Sequence, residues 1–75
     1  MNRYNDWQTI LKIANEDLEK HGYSLLLTED DEGYYACEVW KNGEFFDTYA
    51  ENYWEDELTD LITDAAHHVL TYLAR

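Results

Sequence analysis

Asn42-Gly43 stands between two β-rich runs, residues 34–41 and 44–50, and constrains the fold more than any other pair in the chain. A type I′ hairpin turn needs two central residues that both accept positive φ, and Asn-Gly supplies them. A two-residue loop pairs Lys41 with Glu44 and sets an expected register. Trp40 then opposes Phe45, Val39 opposes Phe46, Glu38 opposes Asp47, Cys37 opposes Thr48 and Ala36 opposes Tyr49. Side chains alternate faces along a strand. Cys37, Val39, Phe46 and Thr48 share the face expected to build the core, and Ala36, Glu38, Trp40, Phe45, Asp47 and Tyr49 share the other. On that second face two carboxylates, Glu38 and Asp47, are expected to oppose each other between aromatics. Like charges placed so destabilise a sheet.

The flanking segments complete a small fold. A first strand is expected over residues 23–28, joined to the second by the acidic turn Glu29-Asp30-Asp31-Glu32, with Gly33 supplying a positive φ. A helix is expected from Asp6 to His21. Asn5 and Gln8 fit a capping box, Trp7, Ile10, Leu11, Ala14 and Leu18 form its apolar stripe, and Gly22 ends it. A second helix is expected from Tyr53 to Leu73, capped by Asn52 and Glu55. Its broad apolar face is Trp54, Leu58, Leu61, Ile62, Ala65, Val69 and Tyr72. Asp56, Asp60 and Asp64 recur every fourth residue on the opposite side. The order α-β-β-β-α gives an α+β fold: a three-stranded antiparallel sheet with both helices packed on one face and the other face open. Seventy-five residues make a single domain spanning 1–75, and the lack of proline with only three glycines leaves no linker.

Charge is the second constraint. Seventeen acidic residues stand against five basic ones, for a net charge of −12. Residues 1–28 hold four acids and three bases, whereas residues 29–75 hold thirteen acids and only Lys41 and Arg75. Such a field repels nucleic acid and anionic lipid and attracts basic proteins or cations. No run approaches the ~20 apolar residues of a membrane span, and the first twenty residues carry no long apolar core of a signal peptide. A cytoplasmic protein with no membrane partner is expected.

Catalytic and metal chemistry find little footing. An EF-hand with Gly33 at its sixth position would place Thr28 first and Val39 twelfth, where carboxylates are needed. Asp64 and His68 are spaced to share an ion on a helix, but two ligands do not make a zinc site. Ser24 has no activating base in its neighbourhood, and no Gly-x-Ser-x-Gly or Cys/His/Asn signature occurs. Cys37 reads as a small buried hydrophobe. No enzyme activity, cofactor or metal is expected.

The α-β-β-β-α order resembles that of the double-stranded-RNA-binding domain and of small toxin ribonucleases built on the same topology. Those proteins engage phosphates through basic residues. Arg3, Lys12, Lys20, Lys41 and Arg75 are scattered here, so direct binding of nucleic acid is not expected. In size, charge and lack of catalytic residues the chain is similar to small acidic proteins of phages and mobile elements, which block restriction enzymes, CRISPR effectors or other DNA-binding proteins. That resemblance implies a DNA-mimic-like inhibitor with a basic, nucleic-acid-binding protein as partner. The expected contacts are Asp30, Asp31 and Glu32 in the turn, Glu38 and Asp47 on the sheet, and Asp56, Asp60 and Asp64 on the helix, with Trp40, Phe45 and Tyr49 as apolar anchors. The alternative is an interaction module whose aromatic sheet face forms a homodimer or docks one dedicated partner.

Overall fold

The computed structural model describes residues 6–74. Helix α1 spans Trp7–Leu18. Its N-cap is Asp6, whose carboxylate accepts from the Gln8 N–H at 3.0 Å and from the Thr9 hydroxyl at 3.1 Å. The expected cap, Asn5, lies outside the described residues. Aspartate suits the position twice, as a hydrogen-bond acceptor and as a negative charge at the positive helix end. The helix tightens into a 3₁₀ turn, Glu19–His21, and stops at Gly22 with φ 85°. The backbone angle favours glycine there, and a Cβ on Gly22 would lie 2.7 Å from Asn42 Oδ1, so that side chain would have to turn away. The Asn42 N–H donates to the Gly22 carbonyl at 2.7 Å, which ties the end of α1 to a turn twenty residues downstream.

Three antiparallel strands follow in the order β1 (Tyr23–Glu29), β2 (Tyr35–Lys41) and β3 (Glu44–Tyr53). Asn42 and Gly43 have φ of 53° and 83°, the hairpin turn expected from the sequence. Lys41 pairs with Glu44 and Trp40 with Phe45, also as expected. Beyond that the register shifts three times. Val39 pairs with Asp47, Glu38 with Thr48, Cys37 with Ala50 and Tyr35 with Tyr53. Each shift adds one residue to β3, so its ten residues run beside the seven of β2. These are β-bulges, which bend a strand and re-aim its side chains.

The bulges overturn the expected facing of Glu38 and Asp47. Glu38 lies between Leu26 of β1 and Thr48 of β3, whereas Asp47 lies opposite the buried Val39. Tyr49 is corrected as well. It packs against the core and stacks on His68 with ring centroids 5.2 Å apart, on the helix side of the sheet.

Helix α2 spans Leu58–His68, entered through a 3₁₀ turn at Glu55–Glu57 and continued by a π-helical turn at Val69–Leu73. Because β3 continues to Tyr53, the N-cap is Trp54 and not Asn52. The Glu57 carboxylate accepts from the Trp54 N–H at 2.9 Å, the returning half of a capping box. Trp54 and Tyr72 are 53% and 63% exposed and leave the expected apolar face. Trp54 precedes the first helical turn, and Tyr72 falls in the π turn, where the wider winding rotates it off the stripe.

The core comprises Leu18 of α1, Tyr23 and Leu25 of β1, Cys37 and Val39 of β2, and Leu58, Leu61, Ile62, Ala65 and Val69 along α2 and its extension. The sheet residues in it belong to one alternation, so both helices lie on the same face. β1 is an edge strand, and its outward Leu25 N–H and C=O have no strand to meet. Asn15 of α1 serves both: its Oδ1 accepts from the Leu25 N–H at 2.7 Å, and its Nδ2 donates to the Leu25 carbonyl at 3.1 Å. The side-chain amide thus stands in for a fourth strand and fixes α1 against the sheet edge.

Asn15→Ala leaves two half-buried backbone groups unpaired, and a stability loss of about 1–3 kcal/mol is expected in urea unfolding. Asn15→Asp removes the donor and is expected to be no better than alanine. An unchanged midpoint in both variants would show that water serves the β1 edge equally well.

Candidate partner-binding site

The chain folds so that one end of the domain collects its acids. The β1–β2 turn, the end of β3 and the starts of both helices meet there, because Glu29 pairs with Tyr35, Tyr35 with Tyr53, and Trp7 touches both Tyr35 and Glu55. Asp6, Glu29, Asp30, Asp31, Glu32, Glu51, Glu55, Asp56 and Glu57 all lie at this end, nine of the seventeen acids. Among the described residues no Lys or Arg joins them. Lys12 sits midway along α1, and Lys20 and Lys41 lie toward the opposite end.

Part of this charge has a structural role. Asp30 Oδ1 accepts from the Glu32 and Tyr34 N–H groups at 2.9 and 3.0 Å, and the Asp30 N–H donates to the Tyr34 carbonyl at 2.9 Å. Gly33, with φ 90°, completes the turn. Asp30 is thus held inside the loop that the sequence offered as a contact surface. Asp6 and Glu57 cap helices. Glu55 accepts from the Trp7 indole at 3.5 Å, and Glu29 lies beside the Tyr35 hydroxyl.

Asp31, Glu32, Glu51 and Asp56 are exposed, and among the described residues their carboxylates have neither hydrogen bond nor ion pair. The ion pair present among the described residues is Lys20–Asp17 at 3.8 Å, on the far half of α1. Each helix N-terminus carries about half a positive charge. Two of them at this end supply roughly one, which cannot balance nine carboxylates.

An aromatic pair stands among these acids. Tyr34, directly after the turn, stacks on Trp54 with ring centroids 4.4 Å apart, and Trp54 stays half exposed. A groove of about 310 Å³ runs alongside, walled by Tyr34, Tyr35, Glu29 and Glu51. Burial pushes the Tyr35 hydroxyl above its ordinary 10.0, and Glu29 and Glu55 push it the same way.

The residues expected at the site therefore divide. Asp30, Asp31, Glu32 and Asp56 are brought to the acidic end, and Asp60 follows one turn along, within α2. Asp64 lies farther along α2, close enough to Tyr49 to help raise its hydroxyl above 10.0, behind the larger effect of burial. Glu38, Trp40 and Phe45 occupy the open sheet face. There the Trp40 indole donates to Glu38 at 3.0 Å, and Trp40 meets Phe45 edge to face at 6.2 Å. Asp47 accepts from the Thr48 N–H at 2.8 Å. These groups do not form one surface. Trp54, Tyr34 and Glu51 were not among the expected contacts; they come together here because β3 runs past residue 50 to Tyr53, through Asn52 at a positive φ of 70°.

His68 does not pair with Asp64. Its ring stacks between Tyr49 and Tyr72 at 5.2 and 5.3 Å. Among the described residues no cluster of three or more His, Cys, Asp or Glu could hold a metal, and no helix is long and apolar enough to cross a membrane. No family model matches the chain, and neither does any curated protein or solved structure compared with it.

Cys37 is buried, and burial pushes its thiol up to about 12, with Glu38 adding to the shift. The raised folded value means that this stabilisation is complete below the ordinary 9.0 and is lost as pH rises toward 12. Iodoacetamide at pH 8.5 is expected to spare native Cys37 and to label it in urea. Equal rates in both would contradict its burial.

Proposed function

We propose that the domain is a non-enzymatic acidic binding protein that competes with nucleic acid for a basic, nucleic-acid-binding protein, in the manner of small DNA-mimic inhibitors of restriction or CRISPR enzymes. The observation that carries the proposal is the group Asp31, Glu32, Glu51 and Asp56, whose carboxylates are unpaired among the described residues, near the half-exposed Trp54 and its neighbour Tyr34. Negative charge concentrated at one end accelerates encounter with a positive groove. Charge alone does not hold a complex. Tryptophan and tyrosine are favoured binding hot spots, and here they stand in the middle of the acids. The partner would be a cytoplasmic protein whose groove is lined by Lys and Arg, and the proposal assigns no reaction to the domain.

A second reading rests on the other face of the sheet. Leu26 and Phe45 are 46% and 54% exposed beside Trp40, and no described element covers them. A homodimer through this face predicts a concentration-dependent mass that Trp40→Ala abolishes. A monomer at millimolar concentration would remove it.

The leading reading is tested by capture from cell extract with the wild-type domain and with Asp31→Asn/Glu32→Gln/Glu51→Gln/Asp56→Asn. The expected result is a basic protein that is retained at low salt and displaced by duplex DNA or 0.5 M NaCl, with the four-fold variant failing to retain it. A partner held equally by both proteins, or indifferent to DNA, would overturn the proposal.

A further inference from the structure

The bulges in β3 open a cleft that neither the acidic end nor the open sheet face uses. It lies between β3 and the C-terminal turns of α2, has a volume of about 280 Å³, and is lined by Val39, Phe46, Asp47, Tyr49, His68 and Leu73. In a regular strand Phe46 and Asp47 would point to opposite faces. The extra residue beyond Phe45 brings both to the helix side: Asp47 opposes core-facing Val39, and Phe46 meets buried Tyr23 edge to face at 6.2 Å. The second shift does the same for Tyr49, whose ring leans on His68.

The cleft is mainly apolar inside, with His68 and Thr48 in its lining, and carries one carboxylate, that of Asp47. Val39 is buried at the base, Leu73 and Tyr49 are half-buried along the walls, and Phe46 and Asp47 are exposed at the opening. Asp64 adds negative charge near Tyr49. Lys41 sits over the Tyr23 and Phe46 rings at 5.6 and 5.9 Å, which shows that an ammonium group is accommodated against these aromatics. A ligand entering such a cleft must place an apolar group at the base and a positive charge at the rim. A bare lysine tip would instead carry its charge onto Val39, at a cost in desolvation.

We infer that this cleft is an anchor site for an apolar side chain standing beside a positive charge, as in a hydrophobic residue flanked by Lys or Arg on the partner. The inference rests on the reading of a basic partner, but it uses different residues and fails separately. The probe is 2-phenylethylamine, with 2-phenylethanol as its neutral match, titrated into the full chain while NMR follows the Phe46, Tyr49, His68 and Leu73 signals. The amine is expected to give saturable shifts at those residues. The alcohol should bind about two- to fivefold more weakly, the strength of an exposed ion pair.

Asp47→Asn should erase that difference while leaving the spectrum folded, and the four-fold variant at the acidic end should keep it. The inference is overturned if no saturable shift appears in the cleft or if the alcohol binds as well as the amine. It is likewise overturned if the shifts map to the acidic end and vanish in the four-fold variant, since the amine would then be following the general field. Failure of the wild-type domain to capture any DNA-displaceable basic protein, with the cleft response intact, would instead count against the proposed function alone.

Discussion

Ten residues of β3 must run beside seven of β2, and most of what distinguishes this domain follows from how that mismatch is absorbed. Three bulges take up the extra residues, turn Phe46, Asp47 and Tyr49 toward the helices, and carry the strand on to Tyr53. A strand that ended near residue 50 would start the following helix at Asn52 and bury Trp54 in its apolar stripe. The longer strand delivers Trp54 to the end of the sheet, where it meets Tyr34. Both the acid-lined aromatic pair and the cleft on the far side of β3 are therefore products of one pairing irregularity, of the kind that recurs beside functional sites.

The second organising fact is the direction of the helices. α1 and α2 both start at the end where β1 turns into β2 and both finish at the opposite end, where the Tyr23 hydroxyl donates to the Leu73 carbonyl at 3.2 Å. Their positive ends lie together, which accounts for some acids at that pole through capping and dipole effects. It does not account for all of them. At an ionic strength near 0.15 M, charges closer than about 8 Å are only partly screened. Neighbouring carboxylates such as Asp31 and Glu32 therefore repel with no compensating cation among the described residues. A fold that retains this repulsion without structural return is consistent with a surface kept for another molecule.

Much of the fold was legible in the sequence because its signals are local. Asn42-Gly43 and Gly22 mark positions where only a few residues tolerate the backbone angle. The apolar residues of α1 and α2 recur with helical spacing, and Leu18, Leu58, Leu61, Ile62, Ala65 and Val69 all reach the core. The bulges were not legible. Strict alternation assumes one residue per partner, and Phe46 and Tyr49 carry no mark showing that they are the extra ones. Asn52 was ambiguous for a physical reason: asparagine suits a helix N-cap and also tolerates the left-handed backbone that it adopts here. The clamp between Asn15 and Leu25 was also out of reach, since a half-buried asparagine on a helix reveals its partner only once the edge strand is placed. For the site, the acidic turn was visible, but the pairing of its members was not. Asp30 proved to be a turn residue, whereas Glu51 went unnoticed.

A surface kept for a partner requires that Asp31, Glu32, Glu51 and Asp56 be surplus to folding. Urea unfolding of Asp31→Asn/Glu32→Gln/Glu51→Gln/Asp56→Asn beside the wild type, at 20 and 500 mM NaCl, tests that claim most directly. If the four carboxylates only repel one another, the variant is at least as stable as the wild type at low salt, and added salt raises the wild type more than the variant. A variant that loses about 1 kcal/mol or more, with the loss unaffected by salt, would make these acids part of the fold, and the surface would no longer call for a partner.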